Sequence, residues 1–140
     1  MKYDLLYEPP LMNAAGTLGF APDPYGPVDL GRLGVFITNP VSLGPRTPAQ
    51  AQRYHAFPGG FLLHTGYPNP GLKTVLRKYA AHWEHSALPV VVHLLCQGVE
   101  DGAQMVRRLE GVSGVSGFEL GLPSQIDVPS ACALAEAALG

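Results

Sequence analysis

Residues 88–96 read LPVVVHLLC, an almost unbroken apolar run rich in β-branched side chains. A strand with one wet face alternates polar and apolar residues, whereas so continuous a run suits a parallel strand covered on both faces. The residues that follow supply the cover. GVEDGAQMVRRLEGV (98–112) places Val99, Met105, Val106 and Leu109 at roughly helical spacing and reads as a crossover helix. VSGFELGLP (115–123) reads as another buried strand, and VPSACALAEAALG (128–140) opens a further helix.

The same alternation runs upstream. LMNAAGTLG (11–19) and GVFITNP (34–40) read as buried strands, joined by a loop holding one helical turn at most. From 45 to 67 the chain is irregular, with RYHAF and GFLLH as short strands around Gly59 and Gly60. NPGLKTVLRKYAAHWEHS (69–86) predicts a helix with Asn69 as N-cap and Pro70 at the first helical position. Its apolar face is Leu72, Val75, Leu76, Tyr79 and Trp83. Strands alternating with helices define an α/β fold, compatible with a barrel or an open doubly wound sheet. No glycine fingerprint of the G-x-G-x-x-G type follows a strand, which weighs against a dinucleotide-binding open sheet.

The 140 residues are 46% hydrophobic and 14% charged, enough apolar material for one core. The net charge is −2 and no basic run occurs, so neither nucleic acid nor an anionic membrane finds a docking surface. The N-terminus MKYDLLYEPP lacks a signal peptide's apolar centre, and no apolar run is of spanning length, so a cytoplasmic protein is expected. The 17 glycines and 14 prolines are spread along the chain and punctuate short elements with shaped loops. Cys96 and Cys132 lack metal spacing and are expected to be buried free thiols. His82 and His85 stand three apart on the predicted helix without an evident third ligand, so no metal site is expected. Tyr54, Tyr67 and Trp83 read as packing residues.

The loop HTGYPNPG (64–71) concentrates turn residues immediately before a helix. In order and spacing, PPLMNAAGTLGF, GVFITNPVSLGPR, PGGFLLHTGYPNPG, PVVVHLLCQGVEDGAQMVRRLE and GFELGLP are similar to the first part of a dihydroorotate dehydrogenase. The resemblance covers most of the chain, and the 59–71 loop with its helix is the most specific part. It implies an α/β fold corresponding to the N-terminal half, about four βα units, of a (β/α)8 TIM barrel. It also implies FMN at the C-terminal ends of the strands and oxidation of dihydroorotate to orotate in pyrimidine biosynthesis. Such chemistry needs a base for the proton while the flavin accepts the hydride.

Carried over position by position, the resemblance implies FMN contacts at Ala15, Gly16, Thr17, Asn39 and His93, and substrate contacts at His64, Gly66 and Asn69. Ser42, Pro45 and Arg46 also match, with Arg46 free to pair with a loop carboxylate instead of a ligand. The family's polar residues are changed at four places: Asn39 stands for a lysine, Leu63 and His93 for asparagines, and Gly121 for an asparagine on the fourth strand. The catalytic base in relatives is a cysteine or serine on the loop after that strand, where Ser124 is the nearest candidate. A complete barrel takes roughly 250 residues. Residues 1–140 are therefore expected to form a single partial barrel domain, completed by another segment or subunit, and unpaired strand edges invite self-association. The alternative is a barrel-derived binding or assembly module without flavin chemistry.

Overall fold

The computed structural model describes residues 6–50 and 52–139. Its centre is a parallel sheet of β1 (Phe36–Ile37), β4 (Val90–Leu95) and β5 (Val115–Gly121), in the order β1-β4-β5. Between β1 and β4 the chain forms the hairpin β2 (Tyr54–Phe57) and β3 (Gly60–Leu63), then helix α1 (Leu72–Glu84). Helix α2 (Val99–Leu109) joins β4 to β5, and α3 (Val128–Leu139) follows β5. A single 3-10 turn, Leu30–Arg32, precedes β1.

The apolar run at 90–96 occupies the middle of the sheet, as its lack of polar alternation requires. Phe36 pairs with Val90 on one side, and His93 with Glu119 on the other. Val90, Val92, Leu94 and Cys96 belong to one buried cluster with Leu72, Val75 and Trp83 of α1, Met105, Val106 and Leu109 of α2, and Leu134 of α3. Val91 points to the opposite face and packs with Val35 and Ile37, flanked by Tyr7 and Ala15. Burial of each large side chain of the main cluster contributes roughly 1.5–3 kcal/mol. The two-residue period of the strand thus assigns residues 90, 92, 94 and 96 to the helices and leaves 91, 93 and 95 to the other face.

The 11–19 segment departs from the expected strand. It keeps one parallel bridge, Met12 to Val35, and is otherwise irregular. Gly16 and Gly19 have φ of 85° and 91°, which an extended strand does not allow. The side chain of Asn13 stands in for a strand neighbour: its Oδ1 accepts from the Ile37 N–H at 2.8 Å and its Nδ2 donates to the Ile37 carbonyl at 2.7 Å. The β1 edge is therefore closed by one side-chain amide.

Helix α1 begins two residues later than the capping pattern predicts. Gly71, with φ of 79°, is the flanking residue and no side chain caps the helix. Asn69 is turned instead toward the preceding loops. In α3 the first turn is held by Asp127, whose Oδ1 accepts from the Ser130 N–H at 2.7 Å; those hydrogen bonds hold its carboxyl below the usual range.

Two expected packing residues lie outside the core. Tyr54 and Tyr67 are exposed, and the β2–β3 hairpin carries Phe61, Leu62 and Leu63 on its own exposed surface, because it pairs only with itself. Cys132 is also exposed, against the expectation of two buried thiols, because it lies on the outer side of α3, away from Leu134. Among the described residues, no helix is long and apolar enough to cross a membrane.

Trp83 is fully buried, and its Nε1–H donates to the Phe20 carbonyl at 2.7 Å, while Phe20 stacks on Tyr79 at 5.4 Å. One side chain thereby ties the 18–21 loop to α1. Trp83→Phe keeps most of the apolar area but leaves the Phe20 carbonyl unpaired and a small void behind. We expect it to destabilise the fold by roughly 1–3 kcal/mol, measured as a lowered urea midpoint at unchanged slope.

Candidate functional site

At the C-terminal ends of the parallel strands the chain leaves a cavity of about 730 Å³. Pro40 enters it just beyond β1, Leu95, Cys96 and Gln97 at the end of β4, and Gly121 to Ser124 at the end of β5. Ala15, Arg46 and Tyr67 reach it from three loops, and His93 lines it from β4. In α/β folds this end of the sheet is where loops gather and ligands bind.

The loops around the cavity are fastened by a buried polar clasp. Asn69 is 6% exposed and Ser42 3%. The Asn69 Oδ1 accepts from the N–H groups of Ser42 (3.2 Å) and Gly71 (3.0 Å), and its Nδ2 donates to Ser42 Oγ (2.9 Å) and the Tyr67 carbonyl (3.1 Å). The backbones of Arg46 and Asn69 exchange both hydrogen bonds, at 2.9 and 3.1 Å, and the Leu72 N–H donates to the Ser42 carbonyl at 2.8 Å. The turn residues of HTGYPNPG therefore bind the start of α1 to the loop after β1. Tyr67, with φ of 50°, is held on the cavity side of this clasp.

Three features set the electrostatics. His93 Nδ1 lies 2.6 Å from Glu119 Oε2, the two residues being register partners on β4 and β5. Arg46 donates from Nε to the Gly66 carbonyl at 3.2 Å, and among the described residues no carboxylate pairs with it. It does not take up the loop carboxylate open to it from sequence. Cys96 has its thiol pushed up to about 11, first by burial and then by the Asp101 carboxylate, so it is a neutral thiol at physiological pH.

Of the residues expected to touch FMN, Ala15 and His93 line the cavity. Gly16 lies beside Pro40, a Cβ on it falling 3.6 Å from the Pro40 Cδ. Thr17 Oγ1 donates to the Ala14 carbonyl at 2.6 Å, and Asn39 Oδ1 accepts from the Gly19 N–H at 3.1 Å, so both fasten the 13–20 loop. Of the residues expected at the substrate, His64 is exposed next to the hairpin, where its N–H donates to the Arg53 carbonyl. Gly66 accepts from Arg46, and Asn69 holds the clasp. Ser124 lines the cavity but is exposed, and no hydrogen bond from its Oγ occurs among the described residues. Sequence reasoning missed Asn13, Gln97 and Glu119. The period-2 alternation of VSGFELG places Glu119 on the same face as His93 once the strands are in register.

A second, apolar depression of about 560 Å³ lies at the opposite end of β4, lined by Pro22, Leu30, Ala81 and Leu88 with His82 and His85. His85 Nδ1 is bonded to the Ala81 carbonyl at 2.7 Å. Among the described residues, no group of three or more His, Cys, Asp or Glu side chains is placed to hold a metal ion.

The dihydroorotate dehydrogenase family model matches residues 3–129, a span that includes every residue lining the larger cavity. The chain belongs to the dihydroorotate dehydrogenase family. It is 30% identical over 119 residues to the catalytic subunit of dihydroorotate dehydrogenase B (NAD(+)) of Desulforudis audaxviator, covering 84% of this chain and 38% of that protein. To the subunit of the same name from Citrifermentans bemidjiense it is 30% identical over 113 residues, covering 81% of this chain and 37% of the relative. The chain thus spans less than two-fifths of the length of these relatives. The family is one of TIM barrels and is flavin-dependent in general, and the parallel sheet with helices on one face agrees with the α/β class.

Asn69→Ala removes the acceptor for two buried N–H groups and the donor to Ser42. We expect a loss of stability on the order of 2–3 kcal/mol in urea denaturation, and faster proteolysis in the 42–49 and 64–71 loops than elsewhere.

Proposed function

We propose that this chain is a dihydroorotate dehydrogenase-like segment corresponding to the N-terminal half of a TIM barrel, about four βα units. In this reading the 730 Å³ cavity holds the reactive end of FMN and a small acidic substrate of the dihydroorotate type. The observation that carries the reading is the cavity's position at the C-terminal ends of β1, β4 and β5, within the stretch that matches the family. In this reading the remaining wall of the site comes from further strands, supplied by another segment or by self-association.

The lining fits a flat aromatic ring beside a small anion. Ala15, Pro40 and Gly121 give a wall without long side chains, where a planar group approaches the backbone closely. Arg46, without a carboxylate partner among the described residues, supplies positive charge for a ligand carboxylate. Leu95, Leu122 and Pro123 add apolar surface to the same wall. FMN, when bound, supplies the hydride acceptor for oxidation of a carbon–carbon bond.

A non-catalytic binding module is the second reading. It is favoured by Ser124, which stands exposed on its loop with no side chain placed to activate it among the described residues.

Titration of the purified chain into FMN, followed by flavin fluorescence and the visible spectrum, tests the proposal. We expect saturable quenching that Gly121→Leu weakens at least about tenfold, since a branched side chain there fills the ring wall. Dihydroorotate should then bleach the bound flavin anaerobically. Binding without bleaching would favour the second reading, and no binding at high micromolar protein would overturn the flavin assignment for this chain.

A further inference from the structure

His93 and Glu119 form a unit that the family resemblance does not account for. They stand directly opposite each other on β4 and β5, and both side chains project from the face that carries Val91 and not from the face packed against the helices. The His93 side chain is 15% exposed and that of Glu119 is 48%, so the imidazole is sheltered while the carboxylate keeps part of its hydration. An ionised carboxylate can only accept a hydrogen bond. At 2.6 Å, Nδ1 is therefore the nitrogen that carries the hydrogen, and the neutral imidazole has its lone pair on Nε2.

The position of Nε2 is fixed by what is absent from residue 121. A Cβ placed on Gly121 would lie 2.7 Å from His93 Nε2 and 3.2 Å from the Leu95 Cδ2. Any side chain at 121 would displace the ring, so glycine there and histidine at 93 are one arrangement. Gly121 and His93 both line the cavity, which puts Nε2 at its wall. The other ionisable or polar side chains around the same space are Arg46 and Tyr67 from the loops, Cys96 and Gln97 just beyond β4, and Ser124 beyond β5; the Gln97 amide and the Ser124 hydroxyl are not bases. Arg46 is a cation, Tyr67 is exposed, and Cys96 is held as the neutral thiol by burial. None of them offers a basic lone pair at neutral pH.

We propose that His93 is the proton acceptor of the cavity, held in its Nδ1–H tautomer by Glu119 as a positioning residue, in the role for which the family resemblance made Ser124 the nearest candidate. The ligand group it takes is a weakly acidic N–H or O–H presented to Nε2. The proton passes to Nε2, the bonding electron pair stays on the ligand as an anion, and the imidazolium is stabilised by the Glu119 carboxylate. Arg46 supplies positive charge on the same cavity lining. The inference rests on the proposed function only for the cavity being the ligand site.

The test uses the whole chain and does not need FMN. In long-range proton–nitrogen spectra at neutral pH, His93 should show an unprotonated Nε2 and a protonated Nδ1, and Glu119→Gln should convert it to a mixture of tautomers. Diethylpyrocarbonate, which acylates unprotonated imidazole nitrogen, should modify His93 at Nε2, mapped by mass spectrometry against His55, His64, His82 and His85 as internal references. Glu119→Gln should slow that modification in proportion to the share of the Nδ1–H tautomer lost, while leaving the four reference rates unchanged. Glu119→Asp should restore part of the rate. A protonated Nε2 in the native chain, or a His93 rate indifferent to Glu119→Gln, would overturn the proposal. A chain that binds no FMN yet shows the fixed tautomer and the fast rate would contradict the flavin reading and leave this one standing.

Discussion

The burial of β4 on both faces is the constraint from which the remaining structure follows. Its even-numbered residues, Val90, Val92 and Leu94, require helices to cover them, and α1, α2 and α3 supply that cover. Its central place requires a parallel partner on each side, which fixes β1 and β5 and forces the crossovers through α1 and α2. The odd-numbered residues are left with a different task. Val91 closes one end of the opposite face with Val35 and Ile37, and His93 and Leu95, nearer the C-terminal end, open into the cavity. One strand therefore divides the molecule into a core side and a cavity side.

The loops at the end of the strands are held by polar bonds as well as by the packing of Leu18, Phe20, Val41 and Leu43. Asn13 does this for the edge of β1 and Asn69 for the junction of the 41–46 and 64–71 loops. Each of these amides satisfies both a donor and an acceptor of the backbone, something no aliphatic residue could do in the same space. The result is a cavity rim whose shape depends on two asparagines, while its floor is set by the register of β4 with β5. A slip of β5 by one residue against β4 would turn Glu119 to the helix side and dismantle the pair with His93.

Much of the architecture was legible in the sequence because it is written in long periodic segments. The apolar run at 90–96, the helical spacing of Leu72, Val75, Leu76, Tyr79 and Trp83, and the buried-strand run VSGFELGLP each have a direct physical reading. The failures lie where side chains replace backbone. The 11–19 stretch looks like a strand by composition, but Gly16 and Gly19 take left-handed conformations and Asn13 makes the edge contacts instead. Asn69 looks like a helix cap, yet its partners include Ser42, 27 residues earlier, which no local pattern reveals. The pairing of His93 with Glu119 depends on strand register, and the need for Gly121 depends on that pairing in turn. Family resemblance found His93 and Gly121 as departures; only the geometry makes them a single departure.

The claim on which the functional account stands is that the cavity at the ends of β1, β4 and β5 is where this chain meets its ligand. Amide hydrogen exchange followed by mass spectrometry, with and without saturating FMN, tests it most directly. The account predicts slowed exchange confined to the segments 13–20, 40–46, 93–97 and 121–124, with the 22–31 and 81–88 segments at the opposite end of β4 unchanged. Protection centred on that opposite depression, or none at all with FMN present in large excess, would contradict it.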